Sequence, residues 1–188
     1  MRDLIKMVVV LTVICSASGF VLSFVNTATE SAREYQLLKY VKGPSIDAVL
    51  PEHDNDPIKE AVVMAMGQDD KGRPIEKKIF PAKKGGSLVG LAYDSGAEGY
   101  HGVISLMVGL NPEGKLTGVS VMTHTETPGL GARITESSFT EQFQGLSGEI
   151  GVGADVQGVS GATISSKAVV KAVNEAIELF PQAMKEVS

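Results

Sequence analysis

The sequence predicts an α+β domain behind an apolar N-terminal helix. Three observations carry that prediction: an uncharged apolar run from Met7 to Val25, a series of short strand-like segments between residues 60 and 122, and an amphipathic stripe near the C-terminus. Strands grouped together, with helices gathered at the ends, mark α+β architecture and not alternating βα units.

The run Met7 to Val25 comes first. At about 1.5 Å per residue, a helix of this length just crosses a hydrocarbon layer of ~30 Å. A cleaved signal peptide would have a shorter apolar region and then a small-x-small site. Here Ser16-Ala17-Ser18 falls in mid-run and apolar residues resume at Phe20. A lipoprotein would modify Cys15, but bulky Ile14 precedes it. The pattern favours a retained transmembrane anchor over either alternative. Arg2 and Lys6 lie before the run, and Arg33, Lys39 and Lys42 after it, so charge only slightly favours an N-inside orientation.

Glu30 to Lys42 suits a helix with Tyr35, Leu38 and Val41 on one face, ended by Gly43-Pro44. A second short helix would carry Ile46, Val49 and Leu50 and stop before Pro51. Pro51 to Pro57 is polar and turn-like. Two strands are expected at Glu60 to Met66 and Pro74 to Phe80, with Gln68 to Arg73 as their turn. Leu88 to Tyr93 is a third. Gly102 to Leu110 and Leu116 to Met122 read as a hairpin about the strong turn Asn111-Pro112-Glu113-Gly114. Phe139 to Leu146 suits a short helix. Ser165 to Phe180 carries an apolar stripe of Ala168, Val169, Ala172, Val173, Ala176 and Ile177. The expected divisions are an anchor over 1–27, a helical connecting segment over 28–58 and a globular domain over 59–188.

Composition narrows the function. With 17 Lys and Arg against 22 Asp and Glu, the net charge is −5. No basic run exists, which argues against nucleic acid as a partner. The acidic excess lies outside the N-terminal run, as suits a soluble domain held beside a membrane and not lying on anionic lipid. The single cysteine, Cys15, excludes an intrachain disulfide, a CxxC pair and a cysteine-ligated cluster. His53, His101 and His124 show no HxH or HxxxH spacing, which argues against a zinc or haem site. Redox chemistry in this chain would need a cofactor held by other means.

Two segments carry chemistry. Gly151 to Ser166 is a glycine- and hydroxyl-rich loop running into an amphipathic helix. A helix start offers unpaired N–H groups and a positive dipole end, and glycines permit close approach to an anion. Ser160, Thr163, Ser165 and Ser166 add hydroxyls. The same pattern also suits a plain glycine-rich turn with serine N-caps. A Walker A loop is excluded, because Lys167 follows no glycine. Gly158-Val159-Ser160-Gly161-Ala162 approximates the GxSxG of α/β-hydrolases, but no histidine follows Ser160 to complete their chain order. The second segment, Thr123 to Arg133, is a constrained loop leaving a strand end, a common place for binding groups. It reads equally well as a solvated loop. A lone His124–Glu126 pair is weak support for acid–base work.

Taken together, these segments resemble a known family. Asp155 to Thr163 looks like the flavinylation motif of FMN-binding domains, and His124 to Gly131 resembles their HxETPGLG segment. Gly99-Tyr100-His101-Gly102 and the following hairpin fit the block that precedes it. The resemblance is to the domain found in G subunits of Rnf-type electron-transport complexes, with the C subunits of sodium-pumping NADH:quinone reductases as a sister possibility.

The resemblance implies covalent FMN, joined through its phosphate to Thr163 by a flavin transferase, with Asp155 at the motif's acidic position. Ser160, Gly161, Ala162, Ser165 and Ser166 would surround the phosphate. His124, Glu126, Thr127, Gly129 and Leu130 would lie near the isoalloxazine ring. It implies no catalytic acid or base, no metal, and an inner-membrane location with the domain on the extracytoplasmic side. The partners would be other membrane subunits of a complex passing electrons between ferredoxin and NAD. The alternative class is a membrane-anchored binding module without redox work.

Overall fold

The computed structural model describes residues 2–68 and 74–187. The chain divides into two compact units, Met1–Leu38 and Lys39–Ser188. Nearly all of the first unit is helix α1, Arg2–Leu37. Its stretch Lys6–Thr27 covers 22 residues, is apolar and has no buried side. The hydroxyls of Thr12, Thr27 and Thr29 each donate to a carbonyl four residues back. These threonine hydroxyls are thereby satisfied within the helix, as lipid would require. The segment expected to begin a separate helix at Glu30 simply continues α1. A π-helical turn follows at Leu38–Lys42, in which Val41 is exposed; the side chain of Tyr35 lies outside the described residues.

Gly43-Pro44 does not stop a helix. It opens one, α2 (Gly43–Val49), with Pro44 in the first turn. A proline there costs no hydrogen bond, because the first turn has no upstream acceptor to use.

The second unit is built on an antiparallel sheet in the order β1-β2-β3-β4-β5. The strands are β1 (Val62–Gln68), β2 (Pro74–Lys84), β3 (Ser87–Glu98), β4 (Val103–Leu110) and β5 (Leu116–Thr123). The turn expected over 68–73 lies, after Gln68, outside the described residues. Strands β2 and β3 run well past their expected ends at Phe80 and Tyr93. Cross-strand pairing outweighs local polarity there, and Ser95 finds a buried partner in the C-terminal helix. The β4–β5 turn forms as its residues dictate: Asn111 Oδ1 accepts from the amides of Glu113 and Lys115, and Gly114 takes φ +78°.

One sheet face packs on α4 (Thr163–Val187). Leu91, Tyr93, Ile104, Leu106 and Val108 share this core with Val169, Ala172, Val173 and Ala176. Each large side chain so buried contributes roughly 1.5–3 kcal/mol. Two polar ties cross the layer: Tyr93 Oη donates to Ala176 O at 2.6 Å, and Ser95 Oγ to Ala172 O at 2.8 Å. Burial pushes the Tyr93 phenol far above its ordinary pKa. Helix α4 starts two residues earlier than expected and runs on through Pro181, because Ala183 is fully buried and Met184 packs on the core beyond it.

The opposite face receives α2, whose Ile46 and Val49 are buried. Gly109 and Gly118 are register partners directly beneath it. A Cβ on Gly109 would stand 2.2 Å from Val49 O, so α2 lies against bare backbone.

The expected helix Phe139 to Leu146 is displaced. A 3₁₀ turn (Gly131–Thr135), the short α3 (Ser137–Thr140) and another 3₁₀ turn (Glu141–Phe143) occupy this region. Gly145 and Leu146 leave the helical path because both bond the backbone of Leu116 at the start of β5. Phe139 and Phe143 meet edge to face within the α4-side core.

Candidate functional site

The loop before α4 is laced by short-range hydrogen bonds. Asp155 is exposed, and its Oδ2 accepts from Gly151 N at 2.8 Å; Gly153 N donates to Val156 O. Asp155 thus closes a tight turn. Gln157 N donates to Gln142 Oε1 at 2.7 Å, tying the loop to the second 3₁₀ turn. Ser166 Oγ accepts from Val159 N and donates to Ala162 O, both at 2.9 Å. Gly161 has φ +78°, which favours glycine, and its missing side chain leaves room for Leu130.

Helical phase then separates the hydroxyls. Ser165 and Ser166 point inward and are 2% and 0% exposed. Thr163 and Ile164 face outward. Every inward hydroxyl is used, whereas the Thr163 hydroxyl has no hydrogen-bond partner among the described residues. The amides of Thr163, Ile164 and Ser165, at the first turn of α4, also lack acceptors there.

The two segments singled out in the sequence meet here. Glu126, 5% exposed, accepts a short hydrogen bond from Ser165 Oγ on Oε2. Its Oε1 accepts from Tyr100 N at 2.8 Å and His101 N at 3.1 Å. Burial alone would raise its pKa. The bonds from Ser165 and from the amides of His101 and Tyr100, with the nearby His101 ring, outweigh burial and hold the carboxyl below its ordinary value. Around it, His124 Nδ1 accepts from Glu126 N, Thr125 Oγ1 donates to His101 O, and Thr127 Oγ1 lies 3.4 Å from His101 Nδ1.

These segments enclose a pocket of about 450 Å³ lined by Tyr100, Glu126, Thr127, Leu130, Gly131 and residues 161–165. That volume lies within the roughly 300–1,000 Å³ of small-molecule sites. Of the residues singled out in the sequence, Thr163, Gly161, Ala162, Ser165, Glu126, Thr127 and Leu130 are in its wall. Ser160, Ser166, Gly129, His124 and Asp155 are not in that wall: Ser166 is committed to the loop, and Asp155 to its own turn. Tyr100, Gly131 and Ile164 were not singled out as ligand contacts. Tyr100 and Ile164 are 64% and 52% exposed, and their apolar surface had no sequence signal beyond the block Gly99 to Gly102. No cluster of three or more potential metal ligands occurs among the described residues.

The donor set fits a flavin phosphate. A free hydroxyl and three free amides converge at a helix start, beside a wall with apolar Tyr100, Leu130 and Ile164 for a flat ring.

The stretch that builds this site matches a known family. Residues 99–178 match the FMN-binding domain family. The chain is 31% identical over 183 residues to the G subunit of the ion-translocating oxidoreductase complex of Methanosarcina acetivorans, covering 94% of each chain. It is 38% identical over 110 residues to the G subunit of the proton-translocating ferredoxin:NAD(+) oxidoreductase complex of Clostridium ljungdahlii, covering 55% of this chain and 60% of the relative. Among solved structures, the C subunit of the Na(+)-translocating NADH-quinone reductase of Parabacteroides distasonis aligns with TM-score 0.49 at 19% identity, over 67% of this chain and 79% of that one.

Proposed function

This chain belongs to the family of G subunits of ion-translocating oxidoreductase complexes, and from that premise we propose that it is a membrane-anchored flavin subunit whose FMN is esterified to Thr163. The observation that carries the reading is the Thr163 hydroxyl, left without a partner at the start of α4 and on the wall of the pocket that the Glu126 loop completes. The FMN, when bound, supplies the redox chemistry. The protein's residues would bind and orient it: the Thr163 to Ser165 amides would hold the phosphate, and Tyr100, Leu130 and Ile164 would offer apolar surface to the ring. None of the described residues is assigned an acid or base role on a substrate.

Attachment balances as a transfer from FAD. The Thr163 Oγ1–phosphorus bond forms, the pyrophosphate linkage breaks, and AMP leaves with the threonine proton. A flavin transferase would catalyse it, with Asp155 belonging to the segment that enzyme reads. We further assign the anchor to residues 1–27, the connecting segment to 28–58 and the flavin domain to 59–188. The domain would stand on the extracytoplasmic side of the inner membrane, passing electrons among the membrane subunits of a ferredoxin:NAD-type complex.

Intact mass of the full chain made beside an active flavin transferase tests the attachment. One FMN adduct is expected, and none in Thr163→Val. An unmodified wild-type chain, or an adduct that persists in Thr163→Val, would overturn the assignment.

A further inference from the structure

We infer that Glu126 is a positioning residue: its carboxylate clamps the turn 99–102 and the start of α4 to the 124–131 loop, and so sets the pocket before any cofactor arrives. The inference rests on the flavin reading for its consequence, and on this chain's own contacts for its geometry.

Glu126 has little capacity left for a ring contact. Oε1 already accepts from two amides and Oε2 from Ser165. Two glycines make room for it: a Cβ on Gly99 would stand 2.6 Å from Oε1, and one on Gly131 2.7 Å from Oε2. No lysine or arginine pairs with it among the described residues; the Ser165 hydroxyl and two backbone amides hold the charge, with the His101 ring nearby. A buried carboxylate persists only where such donors are supplied, so this arrangement is built around the anion.

Each arm of the clamp holds one pocket wall. Tyr100 is on the wall, and its own amide is one of the donors. Ser165 lies two residues beyond Thr163 on the same helical turn. Leu130 and Gly131 follow Glu126 in the loop. The carboxylate therefore sets the spacing between Tyr100 and Thr163. Groups facing it are the Ser165 hydroxyl, the His101 ring, and His124 through the Glu126 amide.

The test has two arms, both on the full-length chain in detergent micelles. The first uses the flavin-free Thr163→Val protein and follows the Tyr100 and His101 amide resonances by NMR while pH falls from 7 to 3. Both amides should shift together in one carboxylate titration, and that common step should vanish in Glu126→Gln. Independent shifts, or a common step that survives Glu126→Gln, would overturn the clamp. The second arm measures the initial rate of FMN adduct formation by mass. Glu126→Ala and Glu126→Asp should fall at least tenfold. Glu126→Gln should restore most of the rate, because its amide oxygen accepts from the backbone while its NH₂ can donate to Ser165. Ser165→Ala should fall less than Glu126→Ala and guards against simple misfolding of the latter. Wild-type rates in both Glu126→Asp and Ser165→Ala would overturn the proposal. An absent adduct in the wild type would sink the flavin reading alone, since the first arm needs no flavin.

Discussion

Replacing Gly109 by alanine should destabilise the domain while sparing the flavin site. The new Cβ would stand 2.2 Å from Val49 O, 2.6 Å from Thr117 Oγ1 and 2.8 Å from Val49 C. An ordinary carbon–oxygen contact needs over 3 Å, so the α2 backbone must retreat by about 1 Å, and overpacking of this kind costs about 1–3 kcal/mol. The Thr117 hydroxyl that donates to Val49 O is strained by the same shift. Alanine also lowers the entropy of the unfolded chain, which returns about 0.4–1 kcal/mol. The midpoints leave a net loss of about 1.3 kcal/mol, which should lower the melting temperature by about 3–5 °C at roughly 2–4 °C per kcal/mol for a domain of this size. Gly118→Ala is the graded control. Its Cβ would stand 3.0 Å from Val49 Cα and 3.4 Å from Ala48 O, a mismatch of a few tenths of an ångström. Circular dichroism melts suit the assay, since the chain has no tryptophan. FMN loading at temperatures where both variants are folded should equal wild type, because no residue of α2 lines the pocket. A Gly109→Ala protein as stable as Gly118→Ala would refute the seating of α2 on the glycine pair.

Three further outcomes follow from other contacts. The Glu126 carboxyl has a lowered folded pKa, so its stabilising contribution is complete above the ordinary glutamate pKa of about 4.3 and is lost as pH falls through the folded value; urea titrations over acid pH should show this loss in wild type and a shallower decline in Glu126→Gln. Ser166→Ala leaves the part-buried Val159 amide without its acceptor, which should cost about 1–3 kcal/mol and raise hydrogen exchange over 157–162. Tyr93→Phe removes the bond to Ala176 O, and urea unfolding should show a loss of about 0.5–1.5 kcal/mol with no change in FMN loading.

The sequence made the framework legible where local chemistry and tertiary structure agree. The hairpin about Asn111 to Gly114 is one such place, since the turn's own side chain satisfies its amides. The amphipathic stripe of α4 is another. Elsewhere the outcome depended on partners distant in the chain. Gly43-Pro44 suits a helix start as well as a stop, and its place depends on α2 packing. The 139–146 segment ends early only because Leu116 captures Gly145 and Leu146. At the site, Ser160, Thr163, Ser165 and Ser166 were equivalent as residue types. From residue chemistry alone their positions separate only once the first residue of α4 is known, because that phase sends Ser165 and Ser166 inward and Thr163 outward.

That phase also explains how two anions can share one helix start. Glu126 lies inside, satisfied by the Ser165 hydroxyl and by amides from another loop. It takes none of the amides of Thr163, Ile164 or Ser165, which remain for an outward phosphate. Thr163 is exposed, so water and salt would screen the repulsion between a phosphodiester there and the buried carboxylate. An extra residue in the loop would break the Val159 N–Ser166 Oγ and Ala162 N–Val159 O bonds that fix where α4 begins. A one-residue insertion between Gly161 and Ala162 should therefore abolish FMN loading even if α4 still folds. Loading retained in such a variant, with α4 helicity intact by circular dichroism, would show that these loop bonds play no part in presenting Thr163.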